Sequence, residues 1–224
     1  MSDATSTCIV WDVDDTLYLE RDYVRSGFTA VGQALRDAHG IDGFGESAWR
    51  LFEAGVRGDT FDRALADLGV EGASSLVPWM VGVYREHRPD IALCEDAAQA
   101  VAALSELPMA AITDGPLASQ QAKVDALGVA DFASPVILTA TLGPGMGKPH
   151  PRAFEAVMTA HGGAPERFVY VADNPHKDFI GPRALGWRTV RLRRPLGLHA
   201  AALGGDDIDA EITTLAALRS VLAA

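Results

Sequence analysis

Cysteine is scarce in this 224-residue chain: only Cys8 and Cys94 occur. Two cysteines point away from a disulfide framework and toward free thiols in a reducing cytoplasm, with Cys8 in a core strand. Basic charge is also in short supply. The 19 lysines and arginines face 30 acidic residues, a formal net charge of −11, which argues against nucleic acid or a membrane surface as a partner. No apolar run approaches the ~20 residues that a spanning helix needs. Met1–Thr7 has no basic residue ahead of an apolar stretch, so no secretory signal is expected. Low-complexity segments and internal repeats are missing too. One concentrated basic stretch, Arg188–Arg194, precedes an acidic patch, Asp206–Glu211. Both are expected as a solvated strand edge and loop.

What is present suffices for a core: 48% of the residues are hydrophobic and 22% charged, the balance of an ordinary globular protein. The length fits one domain, or one domain with a smaller module. Apolar and β-branched runs at Thr7–Val13, Met109–Thr113, Pro135–Thr139, Phe168–Ala172 and Arg188–Leu192 predict buried strands. Helical patterns lie between them at Glu95–Leu107, Leu117–Leu127, Pro151–His161 and His176–Leu185, with Gly128, Gly162 and Gly186 where helix C-termini should fall. This alternation predicts an α/β fold, a Rossmann-like parallel sheet with helices on both faces. From about Leu17 to Pro89 the alternation stops. Only helical patterns appear there, around Tyr23–His39, Glu46–Val56, Thr60–Leu68 and Ser74–Glu86. The expected organisation is a core of residues 1–16 and 90–224 interrupted by a helical cap, residues 17–89. Ligands of open α/β sheets bind beyond the carboxyl ends of the strands, so an insert after the first strand is expected to act as a lid.

The first strand ends in Asp12-Val13-Asp14-Asp15, three carboxylates in four positions. Like charges at the end of a buried strand repel and resist desolvation. On an extended chain Asp12 and Asp14 share a face, which suits either a hard-metal site or a nucleophile beside a general acid/base. Three other strand ends are polar: Thr113-Asp114-Gly115-Pro116, Gly143–Pro149 with Lys148, and Asp173-Asn174-Pro175-His176-Lys177-Asp178. In a parallel sheet all four gather on one edge. Carboxylates, a hydroxyl and a lysine together suit phosphate and Mg²⁺. Gly143–Lys148 is not a nucleotide P-loop, because Leu142 stands where glycine is required and Pro149 where Ser or Thr should follow. His150 and His176 lack the spacing of a metal pair. Each motif alone is also compatible with a turn, a helix cap or a surface lysine; their joint placement carries the reading.

The four motifs resemble those of the haloacid dehalogenase superfamily, in its phosphatase branch with a helical C1-type cap. Its Asp-x-Asp-x-Thr motif matches Asp12–Thr16, its strand-end Ser/Thr matches Thr113 with Asp114-Gly115, its lysine matches Lys148 in Gly-Lys-Pro, and its acidic pair matches Asp173 and Asp178. They occur in the family's order between about Cys8 and Gly186. The resemblance implies that Asp12 is the nucleophile and forms an aspartyl-phosphate. Asp14 would protonate the leaving alkoxide and then activate water. Thr113, helped by a backbone N–H of Asp114 or Gly115, would bind the phosphoryl group, and Lys148 would hold Asp12 and the phosphate oxygens. Mg²⁺ would be held by Asp12, the carbonyl of Asp14 and Asp173, with Asp178 orienting Lys148 or a water at the metal, and Asn174 assisting. Dehalogenases of the superfamily differ two positions after the nucleophile, and its ATPases carry threonine there; Asp14 therefore implies phosphate-ester hydrolysis or phosphoryl transfer.

The expected activity is Mg²⁺-dependent hydrolysis of a small phosphorylated metabolite. A phosphomutase passing the phosphoryl group to a sugar hydroxyl is the alternative in chemistry, and a catalytically silent binding module the alternative in kind. In the insert, Arg21 and Arg25 are four apart and expected on one helix face near the substrate. A monomer or a homodimer is expected.

Overall fold

The apolar runs form five of the six strands of a parallel sheet in the computed structural model, which describes residues 6–70, 72 and 75–223. Most of Met1–Thr7, and the Ser74 start of the fourth insert helix, lie outside the described residues. The strands are β1 (Cys8–Trp11), β2 (Met109–Thr113), β3 (Val136–Leu138), β4 (Phe168–Ala172), β5 (Arg188–Leu192) and β6 (Ala210–Ile212). Their order is β3-β2-β1-β4-β5-β6, and each neighbouring pair is parallel. This is the Rossmann-type order, in which the chain winds outward in both directions from β1. The topological switch point therefore falls between β1 and β4, at the carboxyl ends that carry Asp12 and Asp173.

Two compact units make up the chain: Met1–Glu20 with Ala92–Ala224, and Arg21–Ile91. In the sheet unit, alternate residues of three strands supply one core: Cys8 and Val10 of β1, Ala110 and Ile112 of β2, and Phe168, Tyr170 and Ala172 of β4. Phe154 of helix α7 (Arg152–His161) meets the Tyr170 ring edge-on at 5.0 Å, and Trp187 stacks on Phe168 at 4.7 Å. Helix α5 (Glu95–Ala103), α6 (Leu117–Leu127), the short α8 (Ile180–Ala184) and α9 (Leu218–Ala223) complete the unit.

The second unit is helical: most of α1 (Glu20–His39), then α2 (Phe44–Glu53), α3 (Thr60–Asp67) and α4 (Val77–Glu86). Phe28, Val31 and Leu35 of α1 and Phe44, Ala48 and Phe52 of α2 recur at three- and four-residue spacing, and they bury against Ala64, Leu65 and Met80. Among the described residues no helix is long and apolar enough to cross a membrane.

Four expectations change. β1 stops at Trp11, and Asp14 lies in a turn in which Leu17 N–H donates to the Val13 carbonyl at 3.0 Å. A turn, not strand alternation, sets the position of Asp14 relative to Asp12. The predicted helix His176–Leu185 shortens to Ile180–Ala184, because residues 174–178 form a side-chain-capped turn. The basic stretch is not a solvated edge: Arg191 is 0% exposed and Arg194 7%. At Arg191 the cause is β6, which pairs with β5 and removes it from the sheet edge, while Arg194 donates to Asp96 and to the Thr16 carbonyl, each at 2.7 Å. β6 itself lies within the acidic patch, and its Glu211 accepts from Arg191 at 3.0 Å.

Candidate active site

Asp12 follows directly after β1, its N–H still donating to Val171 of β4 at 2.9 Å. Strand pairing thus fixes its backbone. Lys148, on the loop before α7, donates to Asp12 Oδ1 at 2.6 Å and to the Tyr170 hydroxyl at 3.1 Å. The same ammonium lies 2.8 Å from Asp178 Oδ1. Asp173 directly follows β4, and Asp178 closes the turn after it by accepting the Asn174 N–H at 3.0 Å. Carboxylate oxygens of Asp12, Asp173 and Asp178 all fall within 4.8 Å of one another, and all three residues are buried.

This trio carries more negative charge than its surroundings balance. Burial, reinforced by Asp178 and Asp14, lifts Asp12 to about 7 against the pull of Lys148. Burial, reinforced by Asp12 and Asp178, lifts Asp173 to about 9. Burial opposes the Lys148 charge, yet Asp12 and Asp178 hold that ammonium well above its ordinary value. Asp178 Oδ1 has no hydrogen-bond partner despite the close ammonium, whose approach lacks hydrogen-bond geometry. An orphaned buried carboxylate oxygen in an all-oxygen, doubly over-negative cluster fits a small hard divalent cation.

Asp14 stands apart from the trio. Lys123 donates to its Oδ1 at 2.6 Å, the Tyr18 hydroxyl donates to the same oxygen, and Gln120 Nε2 donates to Oδ2 at 3.3 Å. Burial pushes this carboxyl up, but the Lys123 charge and the hydrogen bonds from Lys123 and Tyr18 outweigh it and hold it below the ordinary range. The two neighbouring carboxylates thus sit in opposite electrostatic states, in the reverse of the order that a nucleophile and a general acid need. A cation at the trio would have to lower Asp12, and a bound phosphate to raise Asp14. The Asp14 side chain is not part of the clustered trio.

Thr113 ends β2, fully buried, and donates to Gln120 Oε1 at 2.6 Å. The Asp114 carboxylate accepts from Thr139 at 2.5 Å and from Lys177 at 3.2 Å, joining the loops after β2, β3 and β4. Gly147 is required there, since a Cβ would sit 2.5 Å from Asp114 Oδ1. A cavity of about 420 Å³ opens at these loops, lined by Asp114, Gly115, Thr139 and Gly143 among others.

Asp15 is structural. It adopts a left-handed φ of 51° and accepts the N–H groups of Glu20 at 2.9 Å and Leu198 at 2.7 Å. Arg21 and Arg25 belong to the helical unit. Both guanidiniums lie 5.2 Å from the Trp49 ring centroid, and Arg21 pairs with Glu53 at 3.0 Å.

Sequence reasoning missed Tyr18, Gln120, Lys123 and Tyr170. Two of them, Gln120 and Lys123, fall on the same buried stripe of α6 as Val124 and Leu127, in a helix whose sequence shows almost no apolar face. Polar residues on an inward helical face are a mark of function.

A doubly wound parallel sheet with its acidic residues at the switch point defines an α/β enzyme with a phosphate-compatible, cation-compatible site. The chain belongs to the haloacid dehalogenase-like hydrolases, whose family model matches residues 7–186. It is similar to the glyceraldehyde 3-phosphate phosphatase of Methanocaldococcus jannaschii, 28% identical over 193 residues that cover 82% of this chain and 83% of the relative. The enzyme of the same name from Methanopyrus kandleri is 29% identical over 201 residues, covering 83% of each. The solved 2-haloacid dehalogenase of Pseudomonas syringae superposes with a TM-score of 0.66 over 98% of this chain and 99% of that one; at 23% identity the likeness is one of fold.

Proposed function

We propose that the protein is a Mg²⁺-dependent phosphatase of small phosphomonoesters that works through an aspartyl-phosphate on Asp12. The observation that carries the reading is the buried trio of Asp12, Asp173 and Asp178, over-negative against the single ammonium of Lys148. The named activity of the relatives points the same way, and Asp14 separates this chain from a dehalogenase, which has no alkoxide to protonate.

Asp12 and Asp173 would hold the Mg²⁺ with the Asp14 carbonyl, and Asp178 positions Lys148 beside them. The bound cation would supply charge neutralisation to the phosphoryl oxygens and to the trio. An Asp12 oxygen forms a bond to phosphorus as the ester P–O bond breaks, and Asp14 delivers a proton to the leaving oxygen. The negative charge of the incoming phosphate raises the Asp14 pKa, which lets it carry that proton. Back in its carboxylate form, Asp14 takes a proton from water, whose oxygen attacks phosphorus, releasing orthophosphate and restoring Asp12. A phosphoryl oxygen would be bound at Thr113 with a backbone N–H of Asp114 or Gly115, and Lys148 steadies Asp12. The helical unit is assigned the choice of leaving group, with Arg21 and Arg25 as its candidate contacts. The protein is expected to act in the cytoplasm, on a small phosphorylated metabolite.

The test is phosphate release from a broad panel of phosphorylated metabolites with Mg²⁺, against Asp12→Asn. Turnover that needs Mg²⁺ and falls to background in the variant is expected. Activity retained in Asp12→Asn refutes the mechanism.

A further inference from the structure

We propose that Lys123 and Gln120 are positioning residues that aim Asp14 for proton transfer and tie it to the phosphate-binding Thr113; the proposal rests on the phosphatase reading above. Both lie on α6, and both are 3% exposed. A buried ammonium and a buried amide add little to fold stability that apolar residues on the same stripe would not supply. What they do instead is point at one carboxylate. Lys123 Nζ and the Tyr18 hydroxyl engage Asp14 Oδ1, while Gln120 Nε2 engages Oδ2. With donors on both oxygens, the plane of the carboxylate is set.

Gln120 does more than hold Asp14. Its Oε1 accepts from Thr113 at 2.6 Å, and its Nε2 also donates to the Asp114 carbonyl at 3.2 Å. One amide therefore spans the hydroxyl that would bind the phosphoryl group and the carboxylate that would move the proton. The backbone leaves it room: at Gly115, with φ of 150°, an added Cβ would lie 2.6 Å from Gln120 Nε2. The proton given to the leaving oxygen travels on Asp14, and the lysine and glutamine only fix where it is released. A misplacement of about 1 Å in such a group costs about 100-fold in rate.

A purely structural role and a positioning role differ in how the loss depends on the leaving group. An aryl ester departs as a stabilised phenolate and needs little proton; an alkyl ester needs the acid fully. The experiment compares kcat/KM of the whole protein with Mg²⁺ on p-nitrophenyl phosphate and on β-glycerol phosphate, or in its place the alkyl ester turned over fastest in the panel. The variants are Lys123→Met and Gln120→Met. The expected loss is about 100-fold on the alkyl ester and no more than about fivefold on the aryl ester. Equal losses on both esters, or no loss on the alkyl ester, overturn the proposal. Melting temperatures identify a variant that fails to fold, in which case the other carries the comparison. Activity in Asp12→Asn would instead remove the phosphatase reading, and this proposal with it. An inactive Asp12→Asn beside equal losses removes the positioning role alone.

Discussion

Replacing Asp173 by asparagine should make the metal-free protein more stable while it removes the response to Mg²⁺. Burial, with Asp12 and Asp178 close by, raises Asp173 from 3.8 to about 9. Between those values the folded protein holds a proton that the unfolded chain has released, so the native state binds more protons. Stability contributed by this group is therefore lost as pH rises through the window. At pH 7 the gap to the unfolded value corresponds to a penalty of at most about 4 kcal/mol. Relaxation of the carboxylates and entry of water reduce it, and a gain of about 1–2 kcal/mol is expected for Asp173→Asn. For a chain of this size that is a rise in Tm of about 2–8 °C. The assay is thermal melting with EDTA and with Mg²⁺ from pH 5 to 9. In EDTA, wild type should lose stability across the range, with Asp12 and Glu20, both raised to about 7, adding to the slope. Mg²⁺ should stabilise wild type by mass action and the variant much less. A variant no more stable than wild type in EDTA at pH 7–8, or an equal Mg²⁺ shift in both, refutes the reasoning.

Three further perturbations address the scaffold. Gly147→Ala places a Cβ 2.5 Å from Asp114 Oδ1; a loss of about 1–3 kcal/mol in urea unfolding is expected, with lower turnover because Lys148 is the next residue. Arg191→Met strips partners from the carbonyls of Asp173, His199 and Ala202 and from Glu211; a loss of about 3 kcal/mol is expected by the same assay, along with a weaker Mg²⁺-induced rise in Tm. Burial pushes Asp96 up, but Arg194, the Leu215 N–H and Thr214 hold it below its ordinary value. Its contribution is complete above the unfolded pKa and lost as pH falls through the folded one, so the difference in urea midpoint between wild type and Asp96→Asn should be constant at pH 5–7 and shrink below about pH 4.

The parts of the fold that were legible in the sequence share one property: their burial is written in apolar periodicity. β2, β4 and β5 fall within their predicted runs, and α6 matches Leu117–Leu127 residue for residue. β6 carries no such signal. It is three residues long, and its central Glu211 points to Arg191 rather than into an apolar layer. The buried arginines escaped for the complementary reason: a run of like charges reads as solvated until carbonyls and carboxylates far along the chain enclose it. In the site, motif spacing located Asp12, Lys148, Asp173 and Asp178, but not what Asp14 faces. Lys123 is 109 positions from Asp14, and no local pattern pairs residues across such a distance. Nor was its inward position readable, because the sequence of α6 marks almost no apolar face.

The pairing of β1 with β4 has a consequence for synthesis. Asp12 is made early, while Asp173 and Asp178 follow only after most of the chain, and the parallel ladder from Cys8↔Phe168 to Trp11↔Val171 is what brings them together. A nascent chain that has not yet produced β4 has one carboxylate of the trio and no cluster. On the proposed Mg²⁺-dependent reading, cation affinity would appear late and abruptly, when the central strands close, and a bound cation would report completed assembly and selectively stabilise chains that have reached it.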